Sequence, residues 1–348
     1  MALAGPAGAG DRARRGPVLT GVAAVVLAGG VGSRMHPLTA DCPKPLLPVG
    51  PWTLVEHQLN ALERAGIRRV VLSTGYRHED FLPLVARCRA KGVDLTMVVE
   101  ETPLGTGGGL REALRRLPDA DAVVVLNGDL LSGHDIGAQV EGLVDSPSHV
   151  VASVHVRDVE DARPYGSVVV GPDGIVTAFV EKSPTPPSLT VNAGTYVVRP
   201  SLLTHLPVSG TASVERDAFP ALAAQGALVA HREDAYFLDV GTPAALVTAT
   251  RDLLLAPWPG AAPAPLGEAL VLDGAEVSPT AALLGGTVVH PGAVVGDGAR
   301  LDAAIVLEGG QVGAGARVTR SVVGRRARVG AGTTVTDAAL GSDEVAGA

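Results

Sequence analysis

Aromatic residues make up only 3% of this 348-residue chain, so its cores must be built from valine, leucine and alanine. Cysteine is nearly missing as well. Cys42 and Cys88 stand alone, with no CxxC pair and no metal-ligand spacing. That argues against a disulfide scaffold or a zinc site and fits a reduced, cytoplasmic setting. No stretch approaches the ~20 consecutive apolar residues of a membrane span. Excess positive charge is also lacking. The formal net charge of −8 leaves no basic stripe for nucleic acid, though a local basic pocket for phosphate fits an acidic whole. Residues 1–20 carry Arg12, Arg14 and Arg15, but the apolar run that follows, Val22 to Leu27, is too short for a signal segment. This stretch reads as a disordered tail.

What the chain does have is length and apolar content. At 348 residues and 46% hydrophobic, it suggests two domains with a sizeable interior. Over its first two-thirds, apolar strand candidates (22–28, 68–73, 94–99, 121–127, 149–156) alternate with helical stretches (52–65, 78–91, 107–117, 135–144). The alternation predicts an α/β fold, a Rossmann-like, mostly parallel mixed sheet flanked by helices. Shorter strands follow at 167–170, 175–180, 191–198 and 228–232, with helices near 200–206, 215–224 and 243–255, the last opened by Pro243. Apolar residues then recur every six positions from Val271 to Leu301, and resume after one-residue slips at Val306 and Val323. Small residues such as Gly296, Gly313, Ala299 and Ala316 sit at the corners, which is the pattern of a parallel β-helix of about four coils. The expected organisation is a tail (1–20), an α/β domain (21–255), a proline-rich linker (256–267), a β-helix (268–340) and a short tail (341–348).

The most informative string is Leu27-Ala-Gly-Gly-Val-Gly-Ser-Arg34, continued by Pro43-Lys44-Pro45. It follows a strand, and ligands on such sheets bind at the carboxyl ends of strands. Glycines let backbone N–H groups close on phosphate oxygens, while Arg34 and a proline-fixed Lys44 supply positive charge. The string lacks the Gly-Lys-Ser ending of a P-loop and the GxGxxG spacing of a dinucleotide fold, so an ordinary NTPase or dehydrogenase is disfavoured.

Two aspartates complete the pattern: Asp129 in Asn127-Gly-Asp129, and Asp239 in Asp239-Val-Gly-Thr-Pro243. Each alone could be a turn former or a helix cap. Together at neighbouring strand ends they suit magnesium, which takes few protein carboxylates and fills its shell with water and phosphate oxygens. The stretch 100–109 ends in Gly105-Thr-Gly-Gly-Gly109 before a helix, where bare backbone can lie against a flat ring or a phosphate. Glu181-Lys182 and Asn192-Ala-Gly194 offer groups that grip sugar hydroxyls and a sugar phosphate.

These strings resemble the nucleotide-sugar pyrophosphorylases (sugar-1-phosphate nucleotidylyltransferases), and most closely the bacterial mannose-1-phosphate guanylyltransferases. The likeness runs from about residue 22 to 340 and includes Pro103-Leu-Gly-Thr, Ser213-Val-Glu-Arg and Phe219-Pro220. It implies the nucleotidyltransferase fold with a left-handed β-helix of hexapeptide repeats, and magnesium as cofactor. The implied reaction is NTP plus sugar 1-phosphate giving NDP-sugar and pyrophosphate, most closely GTP and mannose 1-phosphate giving GDP-mannose. The resemblance places Arg34, Lys44, Asp129 and Asp239 in catalysis, with the two aspartates on the metal. Leu27, Ala28, Gly29, Gly30, Gly32, Ser33, Arg34, Lys44, Gly105, Thr106, Asn127 and Gly128 would bind the nucleotide. Gly166, Glu181, Lys182, Asn192 and Gly194 would bind the sugar phosphate. The chain departs from the pattern at Met35, His36, Ser183 and Phe237, which removes no charge the reaction needs but blurs the sugar preference. Competing readings are the same chemistry with UTP or dTTP and glucose 1-phosphate, or with GTP and a heptose or cyclitol phosphate. Further rivals are a non-catalytic sensor of nucleotide-sugar and, with His290 as its base, a hexapeptide acyltransferase. A homo-oligomer built on the β-helix is expected.

Overall fold

The computed structural model describes residues 21–258, 261 and 267–347. The expected tail at 1–20 and most of the linker's second half lie outside the described residues. Nine strands form one mixed sheet: β1 (Val22–Ala28), β2 (Arg69–Thr74), β3 (Asp94–Val99), β4 (Ala122–Asn127), β5 (Ala152–Asp158), β6 (Gly166–Val170), β7 (Val176–Glu181), β8 (Thr190–Val198) and β9 (Leu228–Arg232). Their order is β7-β6-β8-β4-β1-β2-β3, with β5 paired to β8 and β9 to β5. β1 lies between β2 and β4, parallel to both, which explains its unbroken apolar sequence: a strand covered on both faces has no polar side. β8 pairs antiparallel with β4, β5 and β6, β6 pairs antiparallel with β7, and β9 adds parallel to β5.

Among the described residues there are six α-helices, of which the first five cover the sheet and the last packs in the core shared with the C-terminal part: α1 (Leu54–Arg64), α2 (Leu82–Ala90), α3 (Gly105–Leu114), α4 (Ile136–Val144), α5 (Phe219–Ala224) and α6 (Pro243–Leu255). α1, α2 and α4 bury Leu59, Leu84 and Val140 against one face. α3 and α5 bury Leu110 and Phe219 against the other. Thr53 and Glu56 cap the start of α1 reciprocally, and Thr242 caps α6 with Pro243 in its first turn. Three helical expectations shift. The 200–206 segment is a 3₁₀ turn, Pro200–His205. The 215–224 helix opens as a π turn, Val214–Ala218, before α5. The glycine string expected before a helix is itself helical, because α3 starts at Gly105.

Beyond residue 267 the chain winds into a parallel β-helix with three faces of five, five and four strands. Val288 pairs with Ile305 and Ile305 with Val322, so those coils repeat every 17 residues, one short of three hexads. That is the physical meaning of the slips in the sequence period: one corner of each such coil has lost a residue. The solenoid also runs further than expected. Val345–Ala346 pairs with Arg328–Val329, so most of the expected 341–348 tail forms part of a last coil. Its interior is a ladder of Val295, Leu301, Val312, Val318 and Val329.

The solenoid is not a separate appendage. Ala303, Ile305, Leu307 and Val322 share one apolar core with Met35, Leu38, Cys42 and Leu47, and with Leu246 and Leu253 of α6. Among the described residues no helix is long and apolar enough to cross a membrane. Because the core is shared, Ile305→Ala should lower stability by about 2–4 kcal/mol through lost contacts and a cavity. A calorimetric melt should show one transition moved down as a whole. Two transitions with the first unmoved would mean that the two parts are independent.

Candidate active site

The carboxyl ends of β1 and β4 open onto a cleft of about 410 Å³. Every residue expected to bind the nucleotide lines it: Leu27 to Gly30, Gly32 to Arg34, Lys44, Gly105, Thr106, Asn127 and Gly128. Pro45, Glu100, Pro103, Asp129 and Gly241 complete the wall. Two glycines are fixed by what surrounds them. Gly32 has φ +69°, and a Cβ there would stand 2.9 Å from Lys44 Cβ. Gly128 donates its N–H to Leu27 O at 2.8 Å, and a Cβ would reach within 2.5 Å of that oxygen. The Asn127–Asp129 turn can therefore lie directly over the end of β1. The approach to Gly30 is open on its Cβ side.

The four expected catalytic residues come together at one end of this cleft. Lys44 sits in a 3₁₀ turn, Lys44–Leu46, entered from Pro43 and with Pro45 in its first turn. Its Nζ donates to Asp129 Oδ2 at 2.7 Å, and its side chain is only 8% exposed. It lines the cleft as a buried cation with a carboxylate partner. Arg34, in contrast, is 64% exposed and reaches Asp239 at 3.9 Å. Asp239 ends a short strand, Phe237–Asp239, that pairs antiparallel with Leu130–Ser132 and puts Asp239 opposite Leu130. Val240 N donates to Asp129 O at 2.9 Å, which ties the two acidic loops side by side. Asp239 Oδ1 is buried without a hydrogen-bond partner among the described residues. Burial first, and the Asp129 charge second, hold its carboxyl above the usual carboxylate range, against the opposing pull of Lys44, Arg34 and Lys182.

The five expected sugar-side residues do not line this cleft. Gly166 and Glu181 face each other across the β6–β7 hairpin, where a Cβ on Gly166 would come within 2.7 Å of Glu181 Oε2. Lys182 follows with φ +44° and stands 3.9 Å from Glu181. Burial and Glu215 push the Glu181 carboxyl up. Asn192 and Gly194 lie on β8, with Asn192 Oδ1 accepting from Gly194 N at 2.8 Å.

Three contributors had no assigned role in the sequence reading. Glu100 accepts from Ser73 Oγ and Leu104 N and packs beneath Gly29. Gly241 gives way to Arg34 Nη2 and Asp239 Oδ1, each 3.0 Å from where its Cβ would be. Glu215 gathers three hydroxyls. Its only signal was membership in Ser213-Val-Glu-Arg. Thr106 is expected on the nucleotide, but its hydroxyl is taken up by Glu215 and Val214 N, so only its other atoms are free to meet a ligand. Cys42 is buried and its thiol is pushed up, which suits an inert side chain. His290 is 8% exposed, and burial takes its imidazole down to about 4.

A glycine-walled cleft at strand ends, with two cations and two carboxylates at its mouth, is the site of a protein that handles phosphate esters. Comparison gives the family. Residues 23–255 match the Nucleotidyl transferase family and residues 266–347 the GMPPB C-terminal domain; the chain belongs to the nucleotidyl transferase family. A mannose-1-phosphate guanylyltransferase of Mycobacterium tuberculosis is 40% identical over 81% of this chain and 78% of its own. A probable mannose-1-phosphate guanylyltransferase of Oryza sativa is 34% identical over 79% and 73%. Among solved structures, HddC from Yersinia pseudotuberculosis, in a complex with GMP-PN, has 28% identity and a TM-score of 0.55 over 65% of this chain and 96% of its own.

The state of Asp239 yields a prediction with a definite sign. Its raised folded-state pKa means that the folded protein holds this proton more tightly than the unfolded chain does. The charged form therefore costs stability above the folded pKa, and that cost is relieved as pH falls through it. Asp239→Asn should abolish turnover while the melting temperature at neutral pH holds or rises. A clear drop in melting temperature would refute the account.

Proposed function

We propose that this protein joins a nucleoside triphosphate to a sugar 1-phosphate, releasing pyrophosphate, with GTP and mannose 1-phosphate as the preferred pair. The observation that carries the reading is the convergence of Arg34, Lys44, Asp129 and Asp239 at one end of a cleft walled by the glycine loop. The choice of GTP and mannose 1-phosphate is supported by the named activity of the relatives and by the GMP-PN complex of HddC.

In this reading a sugar phosphate oxygen attacks the α-phosphorus in line. One P–O bond forms as the bond to the β-phosphate breaks, and pyrophosphate leaves with its electron pair. Such a reaction needs positioning and charge neutralisation rather than a covalent nucleophile. The glycine loop cradles the nucleotide. The exposed Arg34 is free to swing onto the departing pyrophosphate, while the buried Lys44 holds a fixed position beside the reacting phosphates. Gly166, Glu181, Asn192 and Gly194 take the sugar, and Lys182 takes its phosphate.

The residues fit a divalent cation, magnesium by the chemistry of the donors. Two adjacent carboxylates, one with a buried and unpartnered oxygen, are an unfavourable arrangement next to a triphosphate unless a cation joins them. Asp129 and Asp239 would hold it, and it would supply neutralisation of the α-phosphate and sugar phosphate charges. We further infer a cytoplasmic setting, which suits the two unpaired thiols, and association of copies through the β-helix.

Incubation with GTP, magnesium and mannose 1-phosphate should yield GDP-mannose and pyrophosphate, faster than any other pair in a panel of nucleotides and sugar phosphates. A faster thymidylyl or uridylyl product with glucose 1-phosphate would overturn the substrate assignment. Asp129→Asn should lose more than 100-fold in turnover, an order of magnitude in keeping with a lost electrostatic anchor. Near-normal turnover in that variant would sink the metal role.

A further inference from the structure

We propose that Glu215 is a positioning residue whose carboxylate sets the direction of the hydrogen bonds on both the nucleotide side and the sugar side. The inference rests on the assignment of those two sides under the proposed function. Glu215 lies in the π turn Val214–Ala218, a rare element that often marks functional sites. It is 8% exposed. Its Oε2 accepts from Thr106 Oγ1 at 2.5 Å and from Ser213 Oγ at 2.8 Å, and its Oε1 accepts from Tyr196 OH at 3.0 Å.

A carboxylate can only accept, so all three hydroxyl protons point at Glu215. The consequences spread outward in both directions. With its proton committed, the Thr106 oxygen accepts from Val214 N at 3.0 Å, which fixes the first turn of α3 at the wall of the nucleotide cleft. The Tyr196 oxygen likewise faces outward as an acceptor. It takes Asn192 Nδ2 at 2.9 Å, and Asn127 Nδ2 approaches at 3.5 Å. Asn192 can then present its amide in one orientation only, with Oδ1 toward Gly194 N at 2.8 Å. Tyr196 is fully buried, and burial together with Glu215 keeps its phenol protonated well above the ordinary range, so the relay does not reverse.

Packing alone does not require this arrangement. Tyr196 and Phe219 meet edge to face at 4.8 Å, and α3 is tied to the 212 segment by Gly107 N to Ala212 O at 2.9 Å. What the carboxylate adds is polarity: it removes the freedom of hydroxyls and amides that would otherwise turn. A buried acid is costly to keep, and a sugar site built on hydrogen bonds discriminates only if its donors and acceptors are fixed.

The test measures KM for GTP and for mannose 1-phosphate separately in the wild type and in E215Q, Y196F and T106V. Turnover by the wild type tests the parent reading, and the variants test this one. E215Q keeps the volume but introduces a donor, and should raise both KM values roughly tenfold or more with an unchanged melting temperature. Y196F should raise chiefly the sugar-phosphate KM, and T106V chiefly the nucleotide KM. A merely structural role would lower kcat and melting temperature together and leave the two KM values unsplit. Wild-type KM values in E215Q, or equal shifts of both values in Y196F and in T106V, overturn the inference. If E215Q fails to fold, the split between Y196F and T106V decides it.

Discussion

Two carboxylates that repel each other are held side by side, and the arrangement of the cleft follows from that constraint. The short ladder between Leu130–Ser132 and Phe237–Asp239, with Val240 N on Asp129 O, holds the backbones of Asp129 and Asp239 side by side, close enough for each charge to bear on the other. Bringing like charges together in a half-buried place is unfavourable, and the chain answers only part of the cost. Lys44 is buried against Asp129, while Asp239 keeps an oxygen without a partner. The electrostatic imbalance is therefore local and directed, and it is what supports the proposed cation at the mouth of the cleft. Lys44 in turn depends on Gly32, because any side chain there would collide with it. The glycine of the phosphate loop and the lysine beyond it are one steric unit.

The same dependence explains why the β-helix is in contact at all. Between Arg34 and Lys44 runs an arm whose Met35, Leu38 and Cys42 are buried, and part of the surface that buries them belongs to Ala303, Ile305, Leu307 and Val322. Gly341, in the last coil, comes within 3.1 Å of Pro37 at the position a Cβ would take. Arg325 lies beside Cys42. Arg34 and Lys44, the cations proposed to act on the phosphates, are thus mounted on a segment braced from beneath by the solenoid. An apolar arm of this kind would otherwise be exposed, so the second domain contributes to the geometry of the first.

How much of this was legible depends on how local the cause is. The glycine loop could be read because its requirement is local: a positive φ and close backbone approach leave few residue choices. The solenoid could be read because one short rule repeats a dozen times, and even its slips carry meaning once the coil is seen to hold 17 residues. The start of α3 could not. Glycine costs about 1 kcal/mol per residue in a helix interior, yet Gly107, Gly108 and Gly109 are helical because a side chain would collide at each: with Ala212 at Gly107, with Leu104 at Gly108, and with Glu100 and Ser73 at Gly109. The burial of Lys44 was hidden for a similar reason, since lysine is almost never fully buried unless paired and its partner lies 85 residues away. Glu215 meets Thr106 across 109 residues and Tyr196 across 19, and no local pattern announces such pairings.

The division of the sheet gives these pieces a common logic. The parallel half, with β1 at its centre, builds the glycine-walled cleft, and its carboxyl ends are where a phosphate chain can be cradled. The half built on antiparallel pairs of β8 with β4, β5 and β6 carries Gly166, Glu181, Asn192 and Gly194. β8 joins the halves by pairing with β4, so Tyr196 on β8 stands behind Asn127 at the end of β4. The acidic pair occupies the seam: Asp129 follows β4 directly, and the Lys182 charge from the antiparallel half bears on Asp239. A reaction that joins two phosphate-bearing substrates needs its charge-neutralising groups where the two meet. On the proposed assignment, that place is set by the switch from parallel to antiparallel pairing, which would leave each half free to vary in what it recognises while the seam between them stays fixed.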